Sequence, residues 1–260
     1  MTANQLFRAA ATLVGAASLM AASTAYADNT ATAALSNVHI QLIDLDPNDG
    51  IAPAVTFLSP GTTLVAMTQV DGGDWVQTFI TGNQGEPLGP LAAQVGSVSV
   101  SSTLLPGNLF AGAGPTVLAS ATVGDLNAGG WGNGHAIQSQ FTLSANTRLV
   151  MTADASVNVS GAEGTAAYAY GQLVLQKLDF SSFSIVAIQA SLDPGSSWPY
   201  IPAPATLQAS FDNGTGVSMD GWISAIASAS VTTAVPEPGS YALMLLGLGL
   251  LGHRVRRKRL

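Results

Sequence analysis

The sequence predicts an all-β chain: an antiparallel β-sandwich of jelly-roll type, with an N-terminal signal helix before it and a C-terminal transmembrane helix after it. Three observations predict this. Apolar and polar residues alternate at period two through much of residues 35–231, the spacing of a half-buried strand. Clusters of Gly, Pro, Asn and Asp interrupt the alternation and supply turn geometry. Only 9% of the 260 residues are charged and none is Cys, against roughly 25% charged in an average soluble domain. That composition excludes coiled coils, disordered polyelectrolytes, disulfide scaffolds, Cys-ligated zinc and thiol nucleophiles.

Residues 1–27 read as a secretory signal peptide. Arg8 supplies the positive start, residues 9–22 carry no charge, and Ala25 and Ala27 offer the small side chains that signal peptidase requires. Cleavage is expected before Asp28. A buried Ala-rich helix is the other reading of the same run.

Strands are expected near 37–43, 54–58, 62–70, 75–80, 95–101, 116–122, 135–143, 147–159, 166–178, 183–190, 206–211 and 217–231. The clearest is 147–159, where Leu149, Met151, Ala153, Ala155, Val157 and Val159 share one face. Arg148, Thr152, Asp154, Ser156 and Asn158 take the other, and only Val150 breaks the alternation. Residues 217–231 alternate similarly but are rich in Ala, which favours helix. Turns are expected at Asp46-Pro47-Asn48-Asp49-Gly50, Ser59-Pro60-Gly61, Asp71-Gly72-Gly73, Pro106-Gly107-Asn108, Asp193-Pro194-Gly195 and Asp212-Asn213-Gly214. Residues 82–90 and 124–134 read as longer loops. Residues 193–205 read as an extended, Pro-rich connection.

Residues 235–260 form a composite signal. Pro236-Glu237-Pro238 is followed by the charge-free run 239–252, and then by Arg254, Arg256, Arg257, Lys258 and Arg259. The run is short for a membrane span of about 20 residues. Val255 and snorkelling Arg stems would lengthen it, and the basic end would stay cytoplasmic. The prolines keep the chain extended and out of helix, so a protease can read it.

This tail resembles the PEP-CTERM sorting signal of Gram-negative bacteria, in its tripeptide, its Leu/Gly-rich span and its basic end. The resemblance covers about a tenth of the chain. It implies that an integral-membrane exosortase removes the tail and passes the protein to the cell surface or the extracellular polysaccharide matrix. On that resemblance Pro236, Glu237 and Pro238 are substrate positions, not catalytic ones. An ordinary single-pass anchor with a Pro-rich stalk is the alternative.

Processing at both ends would leave residues 28–234 as the exported domain. It holds fourteen acids against two bases, Arg148 and Lys177, a net charge of −12. Such a surface repels phosphates, so a nucleic-acid partner is excluded.

Few constellations carry chemistry. Asp44, Asp46, Asn48 and Asp49 crowd before Gly50; the plainer reading is a turn with Asx caps, the second a calcium loop. In an EF-hand the Gly would come one position earlier and a Glu would close the loop. His39 reads as a solvent-side strand residue and His135 as a loop exit. Glu86 and Glu163 are the only Glu of the exported region, a thin basis for glycoside hydrolysis. Trp75, Trp131, Trp198 and Trp222, with Tyr168, Tyr170 and Tyr200, are the aromatics able to stack on sugar rings. Trp131, in a Gly-rich stretch, and Trp198 with Tyr200 are the ones in loops, and the plainer reading is that each Trp anchors its loop to the core. Trp75 and Trp222 sit in strand patterns.

The functional expectation is a secreted, non-enzymatic surface or matrix protein with no catalytic residues and no cofactor. Its processing partners are signal peptidase and exosortase. A carbohydrate-binding module for the exopolysaccharide, calcium-assisted through Asp44 to Asp49, is the alternative, and a glycan-acting hydrolase the third.

Overall fold

The computed structural model describes residues 29–70, 73–83, 86, 88–124, 128–161, 166–192 and 205–233. Twelve strands account for nearly all of it: β1 (Asn29–Asp44), β2 (Val55–Gln69), β3 (Val76–Asn83), β4 (Leu88–Val95), β5 (Val98–Leu105), β6 (Thr116–Val123), β7 (Gly129–Leu143), β8 (Thr147–Ser160), β9 (Ala166–Lys177), β10 (Phe183–Ser191), β11 (Ala205–Asn213) and β12 (Met219–Thr232). The described residues contain no helix, and so none long and apolar enough to cross a membrane. The segments expected to form the signal and transmembrane helices lie outside the described residues.

The strands form two antiparallel sheets of six, ordered β11-β8-β1-β6-β5-β4 and β10-β9-β12-β7-β2-β3. The sheets pack face to face, with β11 facing β10, β8 facing β9, β1 facing β12, β6 facing β7, β5 facing β2 and β4 facing β3. The all-β sandwich is as expected. Its connectivity is not the eight-stranded double Greek key of a jelly roll, because β4-β5-β6 run as a meander in one sheet while β2-β3 and β9-β10 are hairpins in the other.

Period two explains the core. Ala31, Ala33 and Leu35 of β1, Leu149, Met151 and Ala153 of β8, and Ile223, Ala225 and Ala227 of β12 all point between the sheets and are buried. The Ala-rich 217–231 segment is a strand after all, because it lies between β7 and β9 and buries its whole Ala row. Ladder bonds and burial on a pleated surface override the helical preference of Ala.

Four expectations are corrected. Ser59-Pro60-Gly61 is not a turn: β2 runs through it, with register shifts between Leu58 and Gly61 and again between Gly61 and Thr63, a bulge that tolerates Pro. The 82–90 loop contains the start of β4, an edge strand whose Pro90 sits in a second register shift. The 95–101 strand is broken at Gly96, whose φ of +59° makes a two-residue hairpin turn between Val95 and Val98. The 124–134 loop is shorter than expected, because β7 already begins at Gly129.

This last correction has a packing cause. A Cβ on Gly132 would lie 2.9 Å from the Ser101 carbonyl oxygen and 3.1 Å from that of Ser120. The backbone of β7 therefore rests against β5 and β6 with no room for a side chain between. Gly130 and Gly134 flank it on the same inward row, against Val100 and Val117. The glycines that look like loop residues in the sequence are the inner face of a central strand. Their neighbours Trp131, Asn133 and His135 point outward.

Candidate functional site

The outer face of the β10-β9-β12-β7-β2-β3 sheet gathers most of the chain's chemistry. Register places Tyr168 (β9), Ser230 (β12), Trp131 (β7) and Met67 (β2) in one row across the strands. The next row holds Gln189 (β10), Tyr170, Ser228, Asn133 and Val65. A third holds Gln172, Ile226, His135 and Thr63. Trp75, just before β3, lays its ring over Gly129 at the same end of the face. Trp222 lies farther along, between Gln176 and Gln140.

The aromatic groups are held in place. Trp131 Nε1 donates to Ser228 Oγ at 2.9 Å, and Ser228 in turn donates to the Gly132 carbonyl at 3.3 Å. Tyr168 donates its hydroxyl to Gln189 Oε1 at 2.6 Å. The Tyr168 and Tyr170 rings stand 5.5 Å apart, tilted by 46°. Burial, with Tyr170 beside it, raises the Tyr168 phenol above its usual range. His135 Nδ1 meets Ser224 Oγ at 3.1 Å. Burial lowers the imidazole to about 4, so at neutral pH it is an uncharged hydrogen-bonding group.

Two properties set this face apart. Its six strands carry only Lys177 and Asp220 as charged residues, both at the end remote from Trp131. Lys177 pairs with Asp179 at 3.0 Å, and Asp220 accepts from Thr142 Oγ1 at 2.7 Å. Asn133, 7% exposed, also buries its Oδ1 without a hydrogen-bond partner. Such an acceptor is costly to leave unmet.

The sequence-predicted residues fall in different places. Trp131 is a strand residue on this face and not a loop aromatic. Trp75 stands just ahead of β3 rather than in it, 41% exposed, and Trp222 is in β12 as expected. His135 lies within β7, not at a loop exit. His39 is on the outer face of β1, as expected. Trp198, Tyr200, Glu163, Ala25, Ala27, Pro236, Glu237, Pro238 and the basic residues Arg254 to Arg259 lie outside the described residues.

Asp44, Asp46 and Asp49 each cap a backbone amide two residues on, at 3.0, 3.2 and 2.6 Å. Asp49 also accepts from Asn146 Nδ2 at 2.8 Å, and that bond chiefly holds its carboxyl below the usual range. The acids so placed form the Asx-capped turn between β1 and β2. Among the described residues no group of three or more His, Cys, Asp or Glu is placed to hold a metal ion. Glu86 bonds locally to the Asn83 amide at 3.3 Å. Tyr168 and Tyr170, which the sequence also offers as aromatics able to stack on sugar rings, stand together on the outer face of β9.

Residues 234–259 match the family model of the PEP-CTERM protein-sorting motif. The chain carries a PEP-CTERM sorting signal. The match begins two residues after β12 ends, so the motif follows the sandwich directly. The motif implies export and processing by an exosortase. No curated protein and no solved structure matches the chain.

Proposed function

We propose that the chain is an exported, non-enzymatic protein of the cell surface or extracellular matrix of a Gram-negative bacterium. The sorting motif at residues 234–259 carries this reading. Signal peptidase would cut after Ala27. The apolar run 239–252 and the basic residues Arg254, Arg256, Arg257, Lys258 and Arg259 would hold the chain at the membrane, basic end inward. Exosortase would then act at Pro236-Glu237-Pro238 and release the sandwich. A domain with no Cys must be held by its core and ladders alone in an oxidising compartment, and two six-stranded sheets with a continuous buried interior suit that demand.

Replacing Pro236, Glu237 and Pro238 together with Ala tests the reading in the producing bacterium. The variant is expected to accumulate at the membrane with its tail attached, as read by intact mass. Release of a normally shortened product would contradict it.

A further inference from the structure

We infer that the outer face of the β10-β9-β12-β7-β2-β3 sheet is a binding site for an uncharged polysaccharide, centred on Trp131, Tyr168, Tyr170 and Asn133. The inference goes beyond the sorting reading and stands independently of it. Four observations carry it.

The first is charge. The exported region has a net charge of −12, yet the six strands behind this face carry only Lys177 and Asp220, both at the end remote from Trp131. The two bases of the exported region, Arg148 and Lys177, lie away from the rings, so an anionic chain finds no cation there, while Asp74 stands next to Trp75 at the edge of the cluster. The second is the pairing of ring surface with polar groups. Trp131 and Tyr168 flank Ser230 across β12, two strand spacings or about 10 Å apart, and Tyr170 adjoins Tyr168. Sugar rings offer C–H faces for stacking on aromatics and hydroxyls that both donate and accept. Gln172, the next outward residue after Tyr170, and Gln189, whose Oε1 accepts from Tyr168 and whose amide N–H groups donate, stand beside the rings.

The third is Asn133. Its Oδ1 is buried and unpartnered on an outward-pointing residue, the state of an acceptor that a ligand hydroxyl would complete. The fourth is His135, which burial keeps neutral; a neutral imidazole adds a hydrogen-bonding group without adding charge. A second copy of the chain is a poorer occupant. It would bury the partly exposed amides of Gln172 and Gln176 without assured partners, at a cost in desolvation.

The test is affinity electrophoresis of the full chain through gels containing hydroxyethyl cellulose, dextran or galactomannan, with alginate as the anionic counterpart. Retardation is expected in at least one neutral gel and not in alginate. Tyr170→Ala and Asn133→Leu should each weaken it at least tenfold, while Ser120→Ala, on the opposite outer face, leaves it unchanged. Because Asn133→Leu removes an unmet polar atom, it should bind more weakly and yet melt no lower than the parent, which a merely structural role would not produce. Circular dichroism of each variant separates lost binding from lost fold. No retardation in any neutral gel would overturn the inference, as would retardation insensitive to both face variants. Sedimentation showing a dimer that Tyr170→Ala dissociates would assign the face to a second copy and overturn it too.

Discussion

The two outer faces of the sandwich are built on the same alternation and end up chemically unlike. On the β11-β8-β1-β6-β5-β4 sheet many outward residues are small and hydroxylated, among them Thr30 and Thr32 of β1, Ser99 and Ser101 of β5, Ser120 and Thr122 of β6, and Ser156 and Ser160 of β8, beside a few apolar ones such as Ile43 and Leu118. They bond to one another, as in Thr30 with Ser160 at 2.7 Å and Ser101 with Ser120 at 2.8 Å. Its charges are tied down by neighbours, with Arg148 gripping Asp212 through two bonds of 2.6 Å. Hydroxyl pairs and this ion pair bond the face to itself. The outer face of the other sheet replaces hydroxyl ladders with rings and amides, leaves the Asn133 acceptor unmet, and neutralises its histidine. A strand pattern fixes which residues point outward; what stands there decides whether the face is merely wetted or is able to bind.

The contrast can be broken at its base. Gly132→Leu drives a side chain into the backbone of β5 and β6, so the sheets must part beneath the aromatic face. The expected loss is about 3 kcal/mol or more by chemical denaturation, whereas Ser120→Ala on the opposite sheet should cost under about 1 kcal/mol. Equal losses would remove the close approach from the account.

Acid sharpens it next. His135 stays neutral in the fold down to about pH 4 while an unfolded histidine protonates near 6.5. Between those values the unfolded chain binds more protons, so stability is full above pH 6.5 and falls as pH drops, by about 3 kcal/mol by pH 4. His135→Gln should flatten that stretch of the stability–pH curve. Below it, Asp179, held at about 2 chiefly by its bonds from Ser181, adds a later loss as its carboxylate protonates.

Asn133→Leu is the smaller, opposite effect: removing a buried unmet acceptor should stabilise the fold by about 1 kcal/mol, read from the denaturation midpoint. The smallest belongs to the hydroxylated face. Arg148 and Asp212 are 42% and 46% exposed, so Arg148→Ala should hardly move the melting temperature, and added salt should erase what shift remains.

Much of the fold was legible in the sequence because burial writes itself at period two. Residues 147–159 show it plainly, and β8 occupies 147–160 with Val150 buried although it faces outward. The misses share one cause: residues that usually end strands were used inside them. Pro60 and Pro90 sit at bulges, and Gly130, Gly132 and Gly134 serve close packing rather than a turn. The start of β1 went unread because Ala and Thr alternate there without large apolar residues. The aromatic face was legible only in part. Trp131 stood out, but it looked like a loop residue, and its juxtaposition with Tyr168 and Tyr170 depends on strand order, which no local pattern contains.

Hydroxyl-radical footprinting of the full chain, with and without a retarding neutral polysaccharide, compares both faces in one measurement. Protection confined to Trp131, Tyr168 and Tyr170, with Leu118 and Ile43 on the opposite face reacting as before, is the predicted result. Protection of Leu118 and Ile43 instead, or of neither face, would contradict the account.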